Sequence, residues 1–449
     1  MKNKIKINYL KILLFTSILS LLFSSLLLPS CKKGNFEDVA LSEDGASDRM
    51  PSIDDAQSES KSDSGAASET GSEQDSRSAS GQASESTSES SSESSSESAT
   101  PQTSGQNALT LEEMIGRMII VGFRGTEVNE SSKIIRDINR YGIGGVMLYD
   151  YDMLSDSFPR NILNPQQLKK LTEDLRILTR TDLLVAIDAE GGNGNRLKEE
   201  YGFIKIKSAQ EMGKNSPENT FIEASLLGEE LSSLGINLNL APVVDVNINK
   251  NNPIIGKLKR SFSDDPEEVY EHAAAFIDAM HRYNIITTIK HFPGHGSSAD
   301  DSHFGLTDIT DTYNEEVELF PYKKLIRDNK VDIIMTAHII NRNIDPDNPA
   351  TLSPVFLKDI LRNRLNYNGV IISDDMQMGA ITGYFGFEEA IVKAINAGCD
   401  MLLFSNNGSQ YDGDIAQKIV GVILSAVNNG NIPEEKIIDS YNRIKELAE

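Results

Sequence analysis

Eight short apolar runs, separated by longer amphipathic stretches, constrain the fold of this chain more than any other feature. The runs cover residues 118–123, 142–148, 183–187, 236–246, 285–289, 333–336, 369–372 and 401–404. Strands that are apolar on both faces are typical of a parallel sheet covered by helices on both sides. Eight strand–helix units predict an α/β fold, a single (β/α)8 TIM-type barrel. A doubly wound open sheet is the alternative, but no Gly-x-Gly-x-x-Gly sequence follows the first run.

The stretches between the runs carry helix start signals. Asn164-Pro165 and Asp265-Pro266 each place a capping side chain before a proline at the first helical position. Leu168, Leu171 and Leu175 then recur at helical spacing and predict a buried helix face. Residues 108–449 are therefore predicted to form one domain in which strands alternate with helices.

The first 30 residues have the composition of an export signal. Four lysines precede an apolar run over residues 12–28, namely Lys2, Lys4, Lys6 and Lys11. The run ends in Leu28-Pro29-Ser30-Cys31, which resembles a bacterial lipobox, in which the Cys is lipidated and becomes the first mature residue. The pattern predicts a signal peptide over residues 1–30, lipid on Cys31 and an extracytoplasmic protein on the inner or outer membrane. An uncleaved membrane anchor is the alternative.

Residues 31–107 are rich in Ser, Glu, Ala, Gly and Asp, and residues 84–98 approach a Ser-Ser-Glu repeat. A segment with so few large apolar side chains cannot bury enough surface to offset the entropy of ordering its backbone. Repulsion between its carboxylates extends it further. We therefore predict a disordered tether between the lipid and the domain. A phosphorylated or partner-binding tail is the alternative.

Charge and cysteine content exclude several classes of protein. The chain carries a formal net charge of −24, and the acidic excess extends over residues 108–449. Nucleic-acid binding requires a basic surface that neutralises phosphates, so no nucleic-acid partner is expected. With only two cysteines, the chain has neither a disulfide scaffold nor a Cys-rich zinc or iron–sulfur site.

Polar side chains stand where five of the eight runs end. They are Asp188, Asp245, Lys290 with His291, His338, and Asp374 with Asp375. Because barrel enzymes carry their chemistry at the C-terminal ends of the strands, we expect these side chains to surround one mouth. Such a set could bind a metal. However, no His-Glu-x-x-His sequence occurs and Lys290 would repel a cation, so neither a metal nor a cofactor is expected.

The sequence around His291 is similar to that of a known enzyme family. Lys290-His291-Phe292-Pro293-Gly294-His295-Gly296, followed after four residues by Asp301-Ser302-His303, resembles the signature of family 3 glycoside hydrolases, in their β-N-acetylglucosaminidase branch. Segments 188–192, 241–247, 335–338 and 373–378 follow the other motifs of that family in order. The resemblance implies the barrel and a retaining mechanism for residues 108–449.

The resemblance also implies the catalytic roles. Asp374 would be the nucleophile, His303 the general acid and base, and Asp301 the residue that orients and polarises His303. An imidazole suits both halves of the reaction, because its unperturbed pKa of about 6.5 lets it donate a proton in one step and accept one in the next. The small polar residues 294–303 predict a mobile loop that closes over the substrate. Asp375 is expected to cap the helix after Asp374.

By the same resemblance, five residues would hold the sugar hydroxyl groups, namely Asp188, Arg196, Arg260, Lys290 and His291. Two departures from the family pattern affect this set. Asn193 stands where the family has Arg, and residues 256–259 form a longer segment than usual, so the loop carrying Arg260 is expected to be placed differently. His338 either contacts the substrate or only packs and hydrogen-bonds at the rim of the barrel.

These features predict a membrane-anchored, retaining exo-β-N-acetylglucosaminidase that acts on peptidoglycan fragments or chitooligosaccharides. A phosphorylase of the same glycosides is one alternative, because a neutral imidazole beside the sugar repels phosphate less than a carboxylate would. A non-catalytic glycan-binding lipoprotein is the other alternative. Loss of the nucleophile would mark such a protein, and Asp374 is present.

Overall fold

The computed structural model describes residues 109–447, apart from 304 and 409. The predicted signal peptide over residues 1–30, the lipid on Cys31 and the tether over residues 31–107 lie outside the described residues and stay predictions. The strands, in chain order, are β1 Ile119–Gly122, β2 Gly145–Leu148, β3 Leu184–Ile187, β4 Leu238–Asn239, β5 Ile286–Phe292, β6 Thr307–Asp308, β7 Ile333–Thr336, β8 Ile339–Ile340, β9 Val370–Asp375 and β10 Met401–Phe404.

Helices lie between most of these strands. They are α1 Leu111–Arg117, α2 Lys133–Tyr141, α3 Pro165–Leu178, α4 Ala209–Met212, α5 Pro217–Ser233, α6 Pro266–His281, α7 Glu315–Glu318, α8 Phe320–Arg327, α9 Gly379–Thr382, α10 Phe387–Ala397, α11 Ile415–Asn428 and α12 Glu434–Glu446. A π-helix spans Val355–Arg364 between β8 and β9. Among the described residues, no helix combines the length and apolar character needed to cross a bilayer.

Eight of the strands close into a parallel barrel in the order β1-β10-β9-β7-β5-β4-β3-β2. The closing pair is β1 with β10, where Ile120 lies opposite Leu403. The predicted (β/α)8 architecture is therefore confirmed, and an open doubly wound sheet is excluded. β6 and β8 form a separate two-stranded parallel sheet, with Thr307 opposite Ile339. That small sheet joins the segment after β5 to the segment after β7.

The predicted helix starts are confirmed in detail. Asn164 accepts a hydrogen bond from the backbone N–H of Gln167 at the start of α3. Leu168, Leu171 and Leu175 are each no more than 1% exposed, so this stripe lies in the core. Burial of each such leucine contributes roughly 2 kcal/mol to folding, which exceeds the contribution of the cap.

Three strands differ from the apolar runs that predicted them. Only Leu238–Asn239 of the run 236–246 is a regular strand, although Val243 returns to form an isolated parallel bridge with Lys290. Pro242 has no N–H to donate, which breaks the ladder. β5 and β9 instead extend past the apolar residues, to Phe292 and Asp375, so their terminal polar residues are part of the sheet.

Candidate active site

The barrel brings the predicted strand-end residues together at one rim. Because its eight strands are all parallel, their C-terminal ends meet at the same edge. Contacts across the rim show the convergence. Lys290 Nζ at the end of β5 donates to Asp188 Oδ1 after β3 at 2.7 Å, and His338 Nε2 after β7 lies 2.9 Å from the carbonyl oxygen of Asp375.

Asp374 occupies the end of β9 as a partly buried carboxylate. Its Oδ1 accepts the backbone N–H of Asp375 at 2.7 Å. Burial alone would raise the pKa of Asp374, but the nearby imidazoles of His338, His291 and His303 outweigh burial and lower it. The carboxylate is therefore ionised at neutral pH, as a nucleophile requires.

Asp301 and His303 form a hydrogen-bonded pair on the loop after β5. Asp301 Oδ1 accepts both the ring Nδ1–H of His303 at 2.6 Å and its backbone N–H at 2.9 Å. Burial works to lower the pKa of His303, but the hydrogen bond to Asp301 and the charges of Asp301 and Asp374 raise it above its usual value. Because Asp301 engages Nδ1, the ring nitrogen that can exchange protons with a substrate is Nε2.

A buried ion-pair network joins the segment after β3 to β5. Arg260 donates two hydrogen bonds of 2.8 Å to Glu190, one from Nε and one from Nη2. Lys290 Nζ lies 2.8 Å from Glu190 and 2.7 Å from Asp188. Burial of Glu190 opposes ionisation, yet the charges of Arg260 and Lys290 hold its pKa below the usual range. Asp188, Lys290 and Arg260 thus present fixed charges toward the mouth.

Glu190 was not predicted as a site residue, although it lies in the Asp188-Ala189-Glu190-Gly191-Gly192 motif. It receives Arg260 from a loop 70 residues away, so the segment 256–259 still delivers Arg260 to the rim. Arg260 Nη2 also lies 3.4 Å from His291 Nε2. The arginine therefore links the acidic motif after β3 to the histidine on β5.

Arg196 is held more loosely than Arg260. Its guanidinium lies 3.7 Å from Asp188 and 3.7 Å from Asp150, and 5.3 Å from the centre of the Tyr149 ring. Asp150 is buried and lies 3.0 Å from Lys198 Nζ. The side chain of Arg196 is 40% exposed, so part of it lies open to solvent while its guanidinium stays near both carboxylates.

His338 lies beneath the rim. Its Nδ1 is 2.8 Å from the hydroxyl oxygen of Thr351 and its Nε2 is 2.9 Å from the carbonyl oxygen of Asp375. The residue is fully buried, and burial lowers its pKa. Both ring nitrogens are therefore engaged by the protein, and the observed contacts are those of a residue that fixes the end of β9.

Asp375 does not cap a helix, contrary to the sequence expectation. α9 begins after Met378, and Asp375 Oδ1 instead accepts the backbone N–H of Gln377 at 3.1 Å and that of Ser405 at 3.0 Å. Because Ser405 follows β10, the carboxylate ties the end of β9 to the next strand. Asp375 thereby fixes the backbone on which Asp374 stands.

Two buried carboxylates hold the segment between β5 and His303. Asp245 accepts the backbone N–H groups of His291 at 3.2 Å and His295 at 2.8 Å, and the Nδ1–H of His291 at 2.7 Å. Glu318 on α7 accepts the backbone N–H groups of Gly296 and Ser297, each at 3.3 Å. The sequence pattern did not predict a role for Glu318.

Glycine is required where this segment passes the two carboxylates. A Cβ on Gly294, whose φ is +130°, would lie 2.3 Å from Glu318 Oε2, and a Cβ on Gly296 would lie 1.7 Å from the carbonyl oxygen of Val246. Residues 291–298 are all buried. The first half of the predicted mobile loop is therefore packed structure, and exposure begins at residue 299.

Among the described residues, no group of three or more His, Cys, Asp or Glu side chains has an arrangement that could hold a metal ion. The residues at the mouth can supply a carboxylate, a hydrogen-bonded Asp–His pair and a set of fixed charges. Together they suit attack on, and proton delivery to, a polar substrate rich in hydroxyl groups.

Comparison with known proteins agrees with this chemistry. A "Beta-hexosaminidase" of Tolumonas auensis is 36% identical over 293 residues, covering 64% of this chain and 83% of that protein. "Beta-hexosaminidase A" of Pseudoalteromonas piscicida is 31% identical, covering 77% of this chain and 62% of that protein.

Solved structures give the same picture. A family 3 β-N-acetylglucosaminidase of Paenibacillus sp. FPU-7 has a TM-score of 0.68 at 32% identity, covering 76% of this chain and 62% of that one. A β-N-acetylhexosaminidase of Beutenbergia cavernae has a TM-score of 0.67 at 28% identity, covering 76% of this chain and 99% of that one. This chain therefore spans about three fifths of the length of some of these proteins and nearly the whole length of others.

The family assignment extends over almost every described residue. Residues 110–447 match the "Glycosyl hydrolase family 3 N terminal domain". This is the range that carries the barrel, the carboxylate on β9 and the Asp–His pair after β5. The chain belongs to glycoside hydrolase family 3 and is a glycoside hydrolase.

Proposed function

We propose that the protein is a retaining exo-β-N-acetylglucosaminidase that releases terminal β-linked N-acetylglucosamine from peptidoglycan fragments or chitooligosaccharides. The observation that carries the proposal is the Asp301–His303 pair, whose short hydrogen bond engages Nδ1 of the imidazole, with the charge of Asp374 close enough to help raise the pKa of the ring. The names of the similar β-hexosaminidases and β-N-acetylglucosaminidases support the choice of sugar.

In the proposed first step, a carboxylate oxygen of Asp374 attacks C1 of the sugar while His303 Nε2–H protonates the departing glycosidic oxygen. The aglycone leaves as an alcohol, and a glycosyl ester forms on Asp374. Asp301 stabilises the protonated imidazole before transfer and keeps its ring oriented. In the second step, His303 removes a proton from water as the water attacks C1, which restores the carboxylate and releases the sugar with its configuration retained.

The charged residues Asp188, Arg196, Lys290 and Arg260 hold the sugar in this proposal. Asp188 can accept a hydrogen bond from a sugar hydroxyl group, and Lys290 can donate a hydrogen bond to a hydroxyl oxygen. Arg196 is partly exposed and lies 3.7 Å from both Asp188 and Asp150, so its guanidinium can still donate to a bound sugar. Arg260 is already committed to Glu190 through two hydrogen bonds, which suits a residue that presents a remaining N–H in a fixed direction.

A phosphorylase acting on the same glycosides is the second candidate, since it needs only the exchange of water for phosphate. His303 favours it, because the imidazole is neutral after the first step and repels the entering phosphate less than a carboxylate would. Incubation with a nitrophenyl β-N-acetylglucosaminide, with and without phosphate, distinguishes the two. We expect free N-acetylglucosamine in both reactions. Formation of the sugar 1-phosphate would favour the phosphorylase, and no turnover would support a non-catalytic glycan-binding protein.

We also propose that the enzyme is a lipoprotein attached to a membrane outside the cytoplasm. The lipobox-like sequence at Cys31 and the Ser- and Glu-rich segment after it support this location. Replacement of Cys31 by Ala should abolish lipid labelling and release the protein from membranes. Unchanged labelling in that variant would contradict the proposal.

A further inference from the structure

The buried imidazole of His295 connects residues 301–303, at the end of the segment after β5, to the barrel. His295 is 1% exposed, and its Nε2 lies 3.2 Å from the hydroxyl oxygen of Ser302. Ser302 stands between Asp301 and His303 and is itself 2% exposed, whereas the side chain of His303 is 54% exposed. The Asp–His pair thus flanks one buried hydroxyl group that reaches back to His295.

His295 is itself firmly held. Its backbone N–H donates to Asp245 Oδ1 at 2.8 Å, and its carbonyl oxygen accepts from Asn252 Nδ2 at 2.8 Å. Its Nδ1 lies 2.7 Å from the hydroxyl oxygen of Ser298. Because two neighbours hold its backbone and a third holds its ring, His295 can fix the position of the residue that its Nε2 contacts.

Both ring nitrogens of His295 contact hydroxyl groups. Nδ1 lies against Ser298, whose Oγ also accepts from Asn252 Nδ2 at 2.9 Å, and Nε2 lies against Ser302. Burial and the neighbouring His291 lower the pKa of His295 to about 4, so the ring is neutral and carries a single proton. A neutral imidazole has one N–H and one acceptor nitrogen, so it can hydrogen-bond both hydroxyl groups at once, donating to one and accepting from the other.

We propose that His295 is a positioning residue that, through its hydrogen bond with the Ser302 hydroxyl group, fixes the orientation of the Asp301–His303 pair for proton transfer. The inference rests on the proposed acid and base role of His303. The pair is also tied to the segment after β9 by the backbone hydrogen bond from Gly379 to the His303 carbonyl oxygen at 3.2 Å, which holds the backbone and no side chain. β6 begins at Thr307, which limits the loop on its other side.

The test is the Ser302→Ala variant, which removes a single oxygen atom. With a nitrophenyl N-acetylglucosaminide, the leaving group departs without acid help, so a misplaced His303 slows only the hydrolysis of the glycosyl enzyme. We expect kcat and KM to fall together by about 10-fold, because loss of one hydrogen bond contributes about that factor. Azide, which attacks without a general base, should restore turnover. Ser302→Thr keeps the hydroxyl group and should retain most of the activity.

Two reference variants make the result decisive. Ser440→Ala removes a buried hydroxyl group that donates to Asp400 on the far side of the barrel, and it should leave both constants unchanged. Unchanged kinetics of Ser302→Ala would overturn the inference. A lower kcat with an unchanged KM and no response to azide would also overturn it. So would equal losses of activity in Ser302→Ala and Ser302→Thr. If His303→Ala itself shows no azide response, the proposed function fails instead.

Discussion

Asp301 Oδ1 lies 2.6 Å from Nδ1 of His303, two residues further along the chain, and also accepts the backbone N–H of His303 at 2.9 Å. One carboxylate oxygen therefore fixes both the backbone and the ring of the proposed proton donor. Ring Nδ1 is held as a donor, which leaves Nε2 to exchange protons with the substrate. Loop and imidazole are positioned as one unit.

This relationship predicts the pH dependence of the enzyme. Hydrolysis of an unactivated disaccharide requires ionised Asp374, whose pKa is lowered, and protonated His303, whose pKa is raised. Activity should therefore be lost at high pH as His303 deprotonates, above the usual titration range of His. In Asp301→Ala the main group that raises this pKa is gone, so the alkaline limb should move to lower pH and kcat should fall at least about 10-fold. If the alkaline limb of the kcat/KM profile lies at the same pH in Asp301→Ala as in the parent enzyme, the proposed pairing of Asp301 with His303 is contradicted.

Replacement of the proposed nucleophile has a different signature. Asp374→Asn should lose activity on every substrate, whatever its leaving group, by several orders of magnitude, roughly 10⁴-fold or more. The amide cannot form the ester with C1, and the histidines near it lose the charge that they face. Rates with a nitrophenyl glycoside and with a disaccharide should fall by similar factors. A variant that retained activity on the nitrophenyl substrate would assign the attack to another group.

The buried ion-pair network predicts a combined loss of stability and binding. In Glu190→Gln, Arg260 loses its charge partner and Lys290 keeps only Asp188. Breaking a buried pair costs about 3 kcal/mol of unfolding free energy, and KM should rise as the two cations lose their fixed positions. Asp174→Asn, which breaks the exposed pair with Lys170, is the control and should change stability by less than about 0.5 kcal/mol. Denaturant unfolding measures the change in stability, and steady-state kinetics measure the change in KM. Equal stabilities of Glu190→Gln and Asp174→Asn would argue against a stabilising role of the buried network.

Glu318 predicts how stability changes with pH. Burial raises the pKa of Glu318 from its ordinary value of 4.5 to about 8. Between these values the unfolded chain has released the proton and the folded protein has kept it, so rising pH favours the unfolded state. Glu318→Gln should therefore make the free energy of unfolding fall less steeply between about pH 5 and about pH 8 than in the parent enzyme. Glu315→Gln on the same helix is the control, and an equal slope in all three proteins would contradict the buried position of the proton.

The barrel could be predicted because its determinants are local. Each strand is a short apolar run, and helices such as α3 begin at an Asn-Pro or Asp-Pro pair that caps the first turn. Parallel strands then place their C-terminal ends together, which is why Asp188, Lys290 and Asp374 were expected at one rim before any distance was known. The irregular path of 236–246 was not foreseen, because most of the run is apolar and only Pro242 interrupts its hydrogen bonding.

The partners within the site could not be predicted, because they are joined across long stretches of chain. Glu190 meets Arg260 over 70 residues, and Asp245 meets His295 over 50 residues. No local pattern encodes which acid faces which base. The glycines at 294 and 296 suggested a mobile loop, whereas their lack of a side chain serves close packing against Glu318 and Val246. The assigned roles of Asp374, Asp301 and His303 stay predictions for kinetics to test.

The most direct test of the account is to trap the glycosyl enzyme in His303→Ala. Mass spectrometry of the enzyme, quenched during turnover of a nitrophenyl N-acetylglucosaminide, measures whether the sugar is attached and to which peptide. We predict a burst of nitrophenol, one N-acetylhexosamine on the peptide that contains Asp374, and faster turnover with azide. No burst, no adduct and no azide response, the behaviour expected of Asp374→Asn, would contradict the assignment of His303 as the general acid and base.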